Sequence, residues 1–582
     1  MREKYNNAEI DPITFALIKN ALDSLVDEMA YTVIRTARSE IVKDVMDFST
    51  AFCDRNGQMM AQGKTIALHL GSIPDAIETV LSIYEDDIHP GDIIILNDPY
   101  MGGMHLPDIF MFKPVFFEEK LEGFAVSITH HTDMGGRVPG SNASDSTEIF
   151  QEGLRIPPLK LYEKGVVNDT IIKMIERNVR VPDLVIGDLY AQYAACMVGE
   201  REFLKLIERY GQGTVSLYME ELLDYAERLT REEIKKWPNG TYTFIDYMDN
   251  DGFQEEPIPI HVNVQVHDDS ITVDYEGTSP QVKGAINPTF SFTKSCTYLS
   301  VLCVLDQSIP NNIGVFRAIN VKAPKGSLLN PESPAPVAAR ATTGYRVVDT
   351  MFGALAQIVP DKIPAAGEGG NTVVSIGGYD DKLNKPFIIV DMICGAWGGH
   401  PDKDGIEAIT NPSQNLSNTP VEVLEAKHPV RIENYSLIPD SGGAGEYRGG
   451  LGISRQYRLL NEDAVLQLRA DRVKIAPYGL AGGKPGRKAN NILNPDSEKE
   501  YLPGKVSMEM QRDNVILVEQ AGAGGFGDPL QRDPQKVEDD VFNEKISIAY
   551  AEREHGVVIN PNTLKVDLEK TSDLRTNLVT ES

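Results

Sequence analysis

The stretch Ile93-Ile94-Ile95-Leu96-Asn97-Asp98-Pro99-Tyr100-Met101-Gly102-Gly103-Met104-His105-Leu106-Pro107-Asp108 joins a short apolar run to a glycine-rich turn that carries histidine and aspartate. A second stretch repeats the arrangement, with Phe124-Ala125-Val126-Ser127-Ile128 leading into Thr129-His130-His131-Thr132-Asp133-Met134-Gly135-Gly136. Short continuous apolar runs of this kind read as strands buried on both faces. Three of the chain's 10 histidines fall in these two stretches. Ligands for a divalent metal must be brought to one point from the ends of rigid elements, and these two strand ends suit that task.

Outward from this pair, the chain reads as elements of both kinds. Asp11 caps a helix with Pro12 at its first position, and Leu17, Ala21, Leu22, Leu25, Met29 and Val33 form its buried stripe. Phe48–Cys53 and Gln58–Ala61 form a hairpin about the Asn56-Gly57 turn signal. Ser72 caps a helix over residues 72–85, with Ala76, Ile77, Val80 and Leu81 on one face, and residues 168–236 are helical, with Leu204, Leu206, Ile207, Leu222, Leu223 and Leu229 as core positions. Period-two alternation begins near 240, in Tyr242–Tyr247, Ile260–Val266 and Ile271–Tyr275. Pro324 to Pro336 breaks regular structure ahead of a helix near 344–358, residues 420–530 are rich in glycine and short strands, and the tail after about 570 is polar and frayed.

The expected fold is mixed α/β (α+β) with several subdomains, since 582 residues exceed one simple core and imply two to four domains. The segments are an N-terminal α/β metal-site region with a helical segment (10–240), a β-rich centre with a helical insert (241–420), a glycine-rich β region (421–535) and a C-terminal helix with tail (536–582).

The formal charge of −29 argues against nucleic-acid binding, which needs clustered Lys and Arg; spread along the chain, it serves solubility. Five cysteines (Cys53, Cys196, Cys296, Cys303, Cys394) contain no C-x-x-C pair and suit reduced thiols in a cytosol. Met1–Asn7 has no apolar signal-peptide core, and no run approaches the ~20 apolar residues of a membrane span, so a cytoplasmic location and no membrane partner are expected.

His105 and Asp108, at i and i+3 in one turn, and His130 after a second strand offer imidazole and carboxylate donors suited to Zn²⁺, Mn²⁺ or Fe²⁺. Asp47, just before the Phe48–Cys53 strand, is a fourth candidate from a third strand end. The competing reading is turn-capping aspartates and satisfied core histidines. Neighbours on a strand face opposite ways, so His130 and His131 do not both coordinate easily. His131 and Asp133 are candidates for an acid–base role or for holding a ligand in place, with purely structural roles equally open. His69 either reaches the site or packs in the core.

No G-x-x-x-x-G-K-[ST] occurs anywhere in the chain. Gly522-Ala523-Gly524-Gly525-Phe526-Gly527 matches G-x-G-x-x-G after the strand-like Val515–Val518, yet Asp528-Pro529 follows where a dinucleotide site needs an opening helix. Gly442-Gly443-Ala444-Gly445 and Arg448-Gly449-Gly450-Leu451-Gly452 form another glycine-rich tract, with Arg448 a possible anion contact. Tight turns and close backbone approach explain both tracts without a ligand. A G-x-S-x-G elbow is absent, and no cysteine has a histidine beside it to mark a nucleophile.

At these residues the chain resembles the hydantoinase B/oxoprolinase (HyuB) family, the metal-binding subunits of ATP-dependent hydantoinases and lactamases, with relatives in 5-oxoprolinase and in acetone and acetophenone carboxylases. The resemblance runs nearly the whole length. It takes in Asp47-Phe48-Ser49, Leu68–Ser72, both histidine stretches, Ser146–Pro158, Ile309–Asn312, Pro439–Gly445 and Gly522–Pro529. It implies a metal held by Asp47, His105, Asp108 and His130. One departure is visible: many relatives have Glu-Arg-x-Asp-Phe-Ser, where Lys43-Asp44-Val45-Met46 precedes Asp47 here.

The resemblance also implies that ATP and Mg²⁺ bind a partner, a HyuA-type ATPase subunit, in a hetero-oligomer. That partner phosphorylates a carbonyl oxygen, and the activated substrate reacts at the metal-bearing subunit, where Zn²⁺ is the first choice and Mn²⁺ or Fe²⁺ the others. The expected activity is hydrolysis of a cyclic amide such as a hydantoin, oxoproline or lactam ring. The alternatives are a carboxylase subunit acting on a ketone, for whose large subunit 582 residues is short, and a non-catalytic scaffold for the ATPase.

Overall fold

The computed structural model describes residues 10–409 and 412–581. Met1–Asn7, read above as lacking a signal-peptide core, lies outside them, as does Ser582 at the end of the tail. The chain forms two compact units. One takes the chain up to Thr243, Val262–Arg340 and Pro412–Leu416; the other takes Phe244–His261, the described part of 341–411 and the chain from Ser417 onward. The segment 10–240 thus falls in the first unit, 421–535 and 536–582 fall in the second, and 241–420 is divided.

The first unit opens with α1 (Pro12–Thr36), where Asp11 accepts the Thr14 N–H at 2.8 Å and Pro12 sits in the first turn. Its buried stripe is Ile18, Leu22, Leu25, Val26, Met29, Ala30 and Val33. Leu17, expected in that stripe, is 45% exposed. Ile18 keeps step with Leu22 and Leu25, which turns Leu17 roughly 100° away from the core.

After α2 (Glu40–Lys43) comes a seven-stranded sheet of β1 (Phe48–Asp54), β2 (Met59–Gln62), β3 (Ile93–Leu96), β4 (Asp108–Phe117), β5 (Lys120–His130), β6 (Leu159–Glu163) and β7 (Val166–Val167). Its order is β2-β1-β5-β4-β3-β6-β7, and every pairing is antiparallel. The β1–β2 turn places Gly57 at φ +79°, a conformation that glycine adopts without steric cost. All four residues of β3 are buried, as its continuous apolar run requires.

A 3₁₀ turn, Ala67–Ser72, precedes α3 (Ile73–Tyr84). Ser72 makes no cap bond; its Oγ donates back to the His69 carbonyl at 2.5 Å because the preceding turn already points that acceptor at it. The helical region contains α4 (Asp169–Asn178), α5 (Pro182–Tyr210) and α6 (Gln212–Ile234). Helices α1 and α5 pack together, α5 against β4 and β5 and α1 against β1. The alternating strands become β8 (Gly240–Met248), β9 (Ile258–His267), β10 (Ser270–Asp274) and β11 (Ile319–Lys322), in the order β11-β10-β9-β8. Between them lie α7 (Phe290–Leu302) and α8 (Ile313–Phe316). Sequence reading missed α7, because burial of Ser291, Phe292, Thr293, Ser295, Cys296 and Thr297 on nearly all sides leaves no amphipathic period. The helix expected near 344–358 is α9 (Arg340–Leu355), which belongs to the second unit from Ala341 onward.

The second unit contains β12 (Thr372–Asp380), β13 (Lys385–Ile393), α10 (Val421–Lys427), β14 (Val430–Leu437), β15 (Ile453–Leu459), β16 (Asp463–Arg469), β17 (Asn490–Leu493), β18 (Glu500–Leu502), β19 (Lys505–Gln511) and β20 (Val515–Glu519). One sheet has the order β13-β12-β16-β19 and another β14-β15-β20-β17-β18. Val374, Ile376, Leu466 and Leu468 from the first share a core with Ile453, Tyr457, Ile516 and Val518 from the second, so the pair is a sandwich. Helices α11 (Pro534–Phe542), α12 (Ile548–His555) and α13 (Leu568–Glu581) end the chain, and the tail read as frayed is helical through Glu581.

The glycine-rich tracts of this unit cross one another as extended segments joined by backbone hydrogen bonds. Gly399 N–H donates to Gly524 O at 2.8 Å, Gly524 to Ala366 at 2.8 Å, Gly443 to Ala523 at 2.7 Å and Gly525 to Lys484 at 2.9 Å. A Cβ on Gly522 would stand 1.8 Å from the Ser441 carbonyl oxygen, and one on Gly524 2.0 Å from that of Tyr478. Neighbouring backbone fills the space that a nucleotide-binding glycine loop would leave for phosphate. Arg448, read as a possible anion contact, is buried and committed to Glu407, Asp540 and the Gly449 carbonyl.

Candidate metal centre

Strand register brings the candidate ligands to one point. Asp108, the first residue of β4, pairs directly with His130, the last of β5. Phe48 pairs with Thr129, and the His130 N–H donates to the Asp47 carbonyl at 3.1 Å, so Asp47 extends the same row across β1. Directly opposed residues of an antiparallel sheet project to the same face, which puts the Asp47, His130 and Asp108 side chains on one side.

His105 is added by the turn ahead of β4. Asn97 at the end of β3 pins that turn, with Nδ2 donating to the Leu106 carbonyl at 2.7 Å and Oδ1 accepting from Ile156 N–H at 2.6 Å. Gly102 has φ +96°, and any Cβ there would meet the Ala76 backbone at 2.5 Å. Glycine is therefore required where the chain bends toward His105.

His105, Asp108 and His130 form a buried group whose ligand atoms all lie within 4.8 Å of one another. The two imidazole centroids are 5.0 Å apart, and His105 Nδ1 lies 2.8 Å from Asp108 Oδ2. Asp108 Oδ1 is buried without a hydrogen-bond partner. Two imidazoles, a carboxylate and an unsatisfied buried carboxylate oxygen fit a divalent transition ion. Asp47 is not in that group of three. It stands beside it, with Oδ1 3.8 Å from His69 Nε2, while His69 Nδ1 is 3.0 Å from Ser49 Oγ. His69, whose role was open, thus lines the site, and burial pushes its imidazole down to about 4.

Arg340 went unremarked in the sequence. Its Nη2 donates to Asp108 Oδ2 at 2.6 Å across 232 residues, and no local spacing announces such a contact. Burial opposes ionisation of Asp108, yet the His105 and Arg340 charges hold its carboxyl well below the usual carboxylate range. Glu152, within the Ser146–Pro158 stretch, has no local pattern in the sequence that announces a role. It is buried, and its Oε1 accepts the Val337 and Ala338 N–H groups at 2.8 and 2.9 Å. Its Oε2 has no partner, and burial pushes the carboxyl up to about 8.

His131 and Asp133 are not part of the cluster. His131 turns to the other face, as alternation demands, where its Nε2 lies 3.2 Å from Gln192 Oε1 on α5. The Asp133 carboxylate accepts the Gly135, Gly140 and Arg180 N–H groups and Arg180 Nη1, at 2.7–3.3 Å. Both are engaged in holding the chain around the site.

The residue pattern of hydantoinase B/oxoprolinase matches residues 11–529. A putative D-/L-hydantoinase subunit from Pseudomonas sp. (strain NS671) is 36% identical over 586 residues, covering 97% of this chain and 98% of that one. The beta subunit of caprolactamase from Pseudomonas jessenii is 34% identical, covering 95% and 97% of the two chains. The crystal structure of the ATP-dependent caprolactamase from Pseudomonas jessenii superposes with a TM-score of 0.92 at 32% identity, over 98% of this chain and 100% of that one. No helix among the described residues is long and apolar enough to cross a membrane. With its N-terminal metal-type cluster, its glycine-packed second unit and these full-length matches, the chain belongs to the hydantoinase B/oxoprolinase family.

Proposed function

We propose that the chain is the metal-binding catalytic subunit of a cytoplasmic, ATP-dependent cyclic-amide hydrolase, working on a ring carbonyl that a HyuA-type ATPase partner has phosphorylated. The observation that carries this reading is the buried His105–Asp108–His130 group in a chain similar to a hydantoinase subunit and to the beta subunit of a caprolactamase. Those three residues would hold the ion, with Asp47 as the fourth ligand; Zn²⁺ is the first candidate for a set of two imidazoles and two carboxylates, then Mn²⁺ or Fe²⁺. Such an ion, when bound, supplies Lewis-acid polarisation of a carbonyl oxygen and a water whose pKa falls toward ~7.

The protein's own groups prepare that chemistry. Arg340 keeps Asp108 anionic and fixed, and burial of His105, Asp108 and His130 keeps bulk water from competing. His131 and Asp133 hold the β5 end and the following loop, which sets the direction in which His130 points. ATP and Mg²⁺ belong to the partner in this reading, in keeping with the backbone-filled glycine tracts of this chain.

The test uses the co-purified complex with its ATPase subunit. Caprolactam, hydantoin and 5-oxoproline are supplied with ATP, and ring opening and ADP release are followed by mass spectrometry. Stoichiometric ring opening with metal present, lost in Asp108→Ala and His130→Ala, is expected. Full activity in both variants would reduce the chain to a scaffold, and bicarbonate-dependent consumption of a ketone would make it a carboxylase subunit.

A further inference from the structure

A buried arginine beside a metal-type cluster has more donors than its one carboxylate partner uses. Guanidinium offers five N–H donors in a planar fork and does not lose its charge under ordinary conditions. Arg340 Nη2 is committed to Asp108 Oδ2, while Nε is buried with no partner. The side chain is 5% exposed, so little of the guanidinium meets solvent. An unmet charged donor at that depth is costly unless a ligand meets it.

The guanidinium is held for such a purpose. Its carbon lies 4.7 Å from the centroid of the Phe292 ring on α7, which fixes its plane. The Arg340 N–H donates to the Val337 carbonyl at 3.0 Å, and Glu152 Oε1 clamps the Val337 and Ala338 N–H groups just ahead of it. The second Asp108 oxygen, Oδ1, remains without a partner, so Asp108 can serve the cluster without releasing Arg340.

Charge points to the kind of ligand. A divalent ion set against the Asp47 and Asp108 carboxylates, with neutral imidazoles, is balanced by them. Arg340 then leaves one positive charge in excess, on a side chain that is largely buried. An anion with oxygens arranged to accept a planar fork suits it best, and phosphate-type oxyanions do so.

We propose that Arg340 is a substrate-binding residue that grips the phosphoryl oxygens of the activated carbonyl beside the metal cluster. The inference rests on the hydrolase reading above for the identity of the substrate, but its chemistry can be tested apart from ring opening. Inorganic phosphate is the probe. Its binding to the metal-loaded complex is measured by calorimetry for wild type, Arg340→Gln and Arg340→Lys, with metal content determined on the same samples.

Arg340→Gln is expected to keep its metal and to bind phosphate about ten- to hundredfold more weakly, the usual scale for a charged hydrogen bond. Arg340→Lys, which preserves a charge against Asp108 if the glutamine variant does not fold, keeps its metal and is weakened about tenfold, because an ammonium lacks the fork. Equal phosphate affinity in wild type and variants overturns the inference, as does absence of phosphate binding in wild type. Loss of metal from both variants also overturns it and leaves Arg340 as a prop for Asp108. Ring opening is scored separately. Arg340-dependent phosphate binding without ring opening of any cyclic amide sinks the proposed substrate class alone.

Discussion

Asp133 shows how a buried carboxylate beside a candidate active site can be wholly occupied with its own chain. It joins the Gly135 and Gly140 amides to Arg180, and removing it strands buried N–H groups and a partly shielded cation. Asp133→Ala is expected to cost about 2–4 kcal/mol in urea denaturation, with Arg180, 30% exposed, softening the loss. Asp133→Asn keeps an acceptor and should retain activity within about tenfold; a fall of about a thousandfold with the fold intact would instead give Asp133 a proton-transfer role. Glu152 carries a pH signature. Its carboxyl is raised by burial from the ordinary 4.5 to about 8, so between those values the folded state holds a proton that the unfolded chain has released. The stability from this group is fully present below about pH 4.5 and is lost as pH rises through about 8. Relative to wild type, Glu152→Gln should therefore gain about 1.4 kcal/mol per pH unit across that window, read from denaturation midpoints at successive pH values.

At the scale of elements, the glycine tracts of the second unit act through what they leave out. Their segments lie closer than any side chain permits, and backbone hydrogen bonds replace side-chain packing between them. Gly524→Ala forces a methyl against the Tyr478 carbonyl at 2.0 Å and should cost at least about 2 kcal/mol, seen as a lower urea midpoint. Gly213 in α6 is the counterexample. It is exposed, nothing lies within 4 Å of a Cβ there, and Gly213→Ala should add about 0.5–1 kcal/mol through helix propensity and reduced unfolded-state entropy. Opposite signs for the same substitution would separate glycine as a packing requirement from glycine in an open helix position where a methyl group is accommodated.

For the whole molecule, metal binding to the folded state alone must appear as stability. Zn²⁺ or Mn²⁺ at about 100 times its Kd should raise the unfolding free energy by about 2.7 kcal/mol, and chelation should reverse the rise. His130→Ala should show no such rise while folding otherwise normally, because His130 ends a strand whose pairing is made by its backbone. A metal response that persists in His130→Ala would place the ion elsewhere.

The N-cap at Asp11, the Asn56-Gly57 hairpin, the buried β3 run and the helical stretch 168–236 were all legible from residue order, because each depends on contacts within a few positions. So were His105, Asp108 and His130, since histidine and aspartate concentrated at two strand ends is itself a local pattern, and the family resemblance rests on the same residues. Other features were decided only by tertiary structure. Sheet order sets β1, β5 and β4 side by side, and it is register that turns Asp47, His130 and Asp108 to one face and His131 to the other. Helix α7 is buried nearly all round and leaves no period to read. Arg340 meets Asp108 across 232 residues, a contact that exists because the folded chain returns there and not because of anything near either residue in sequence.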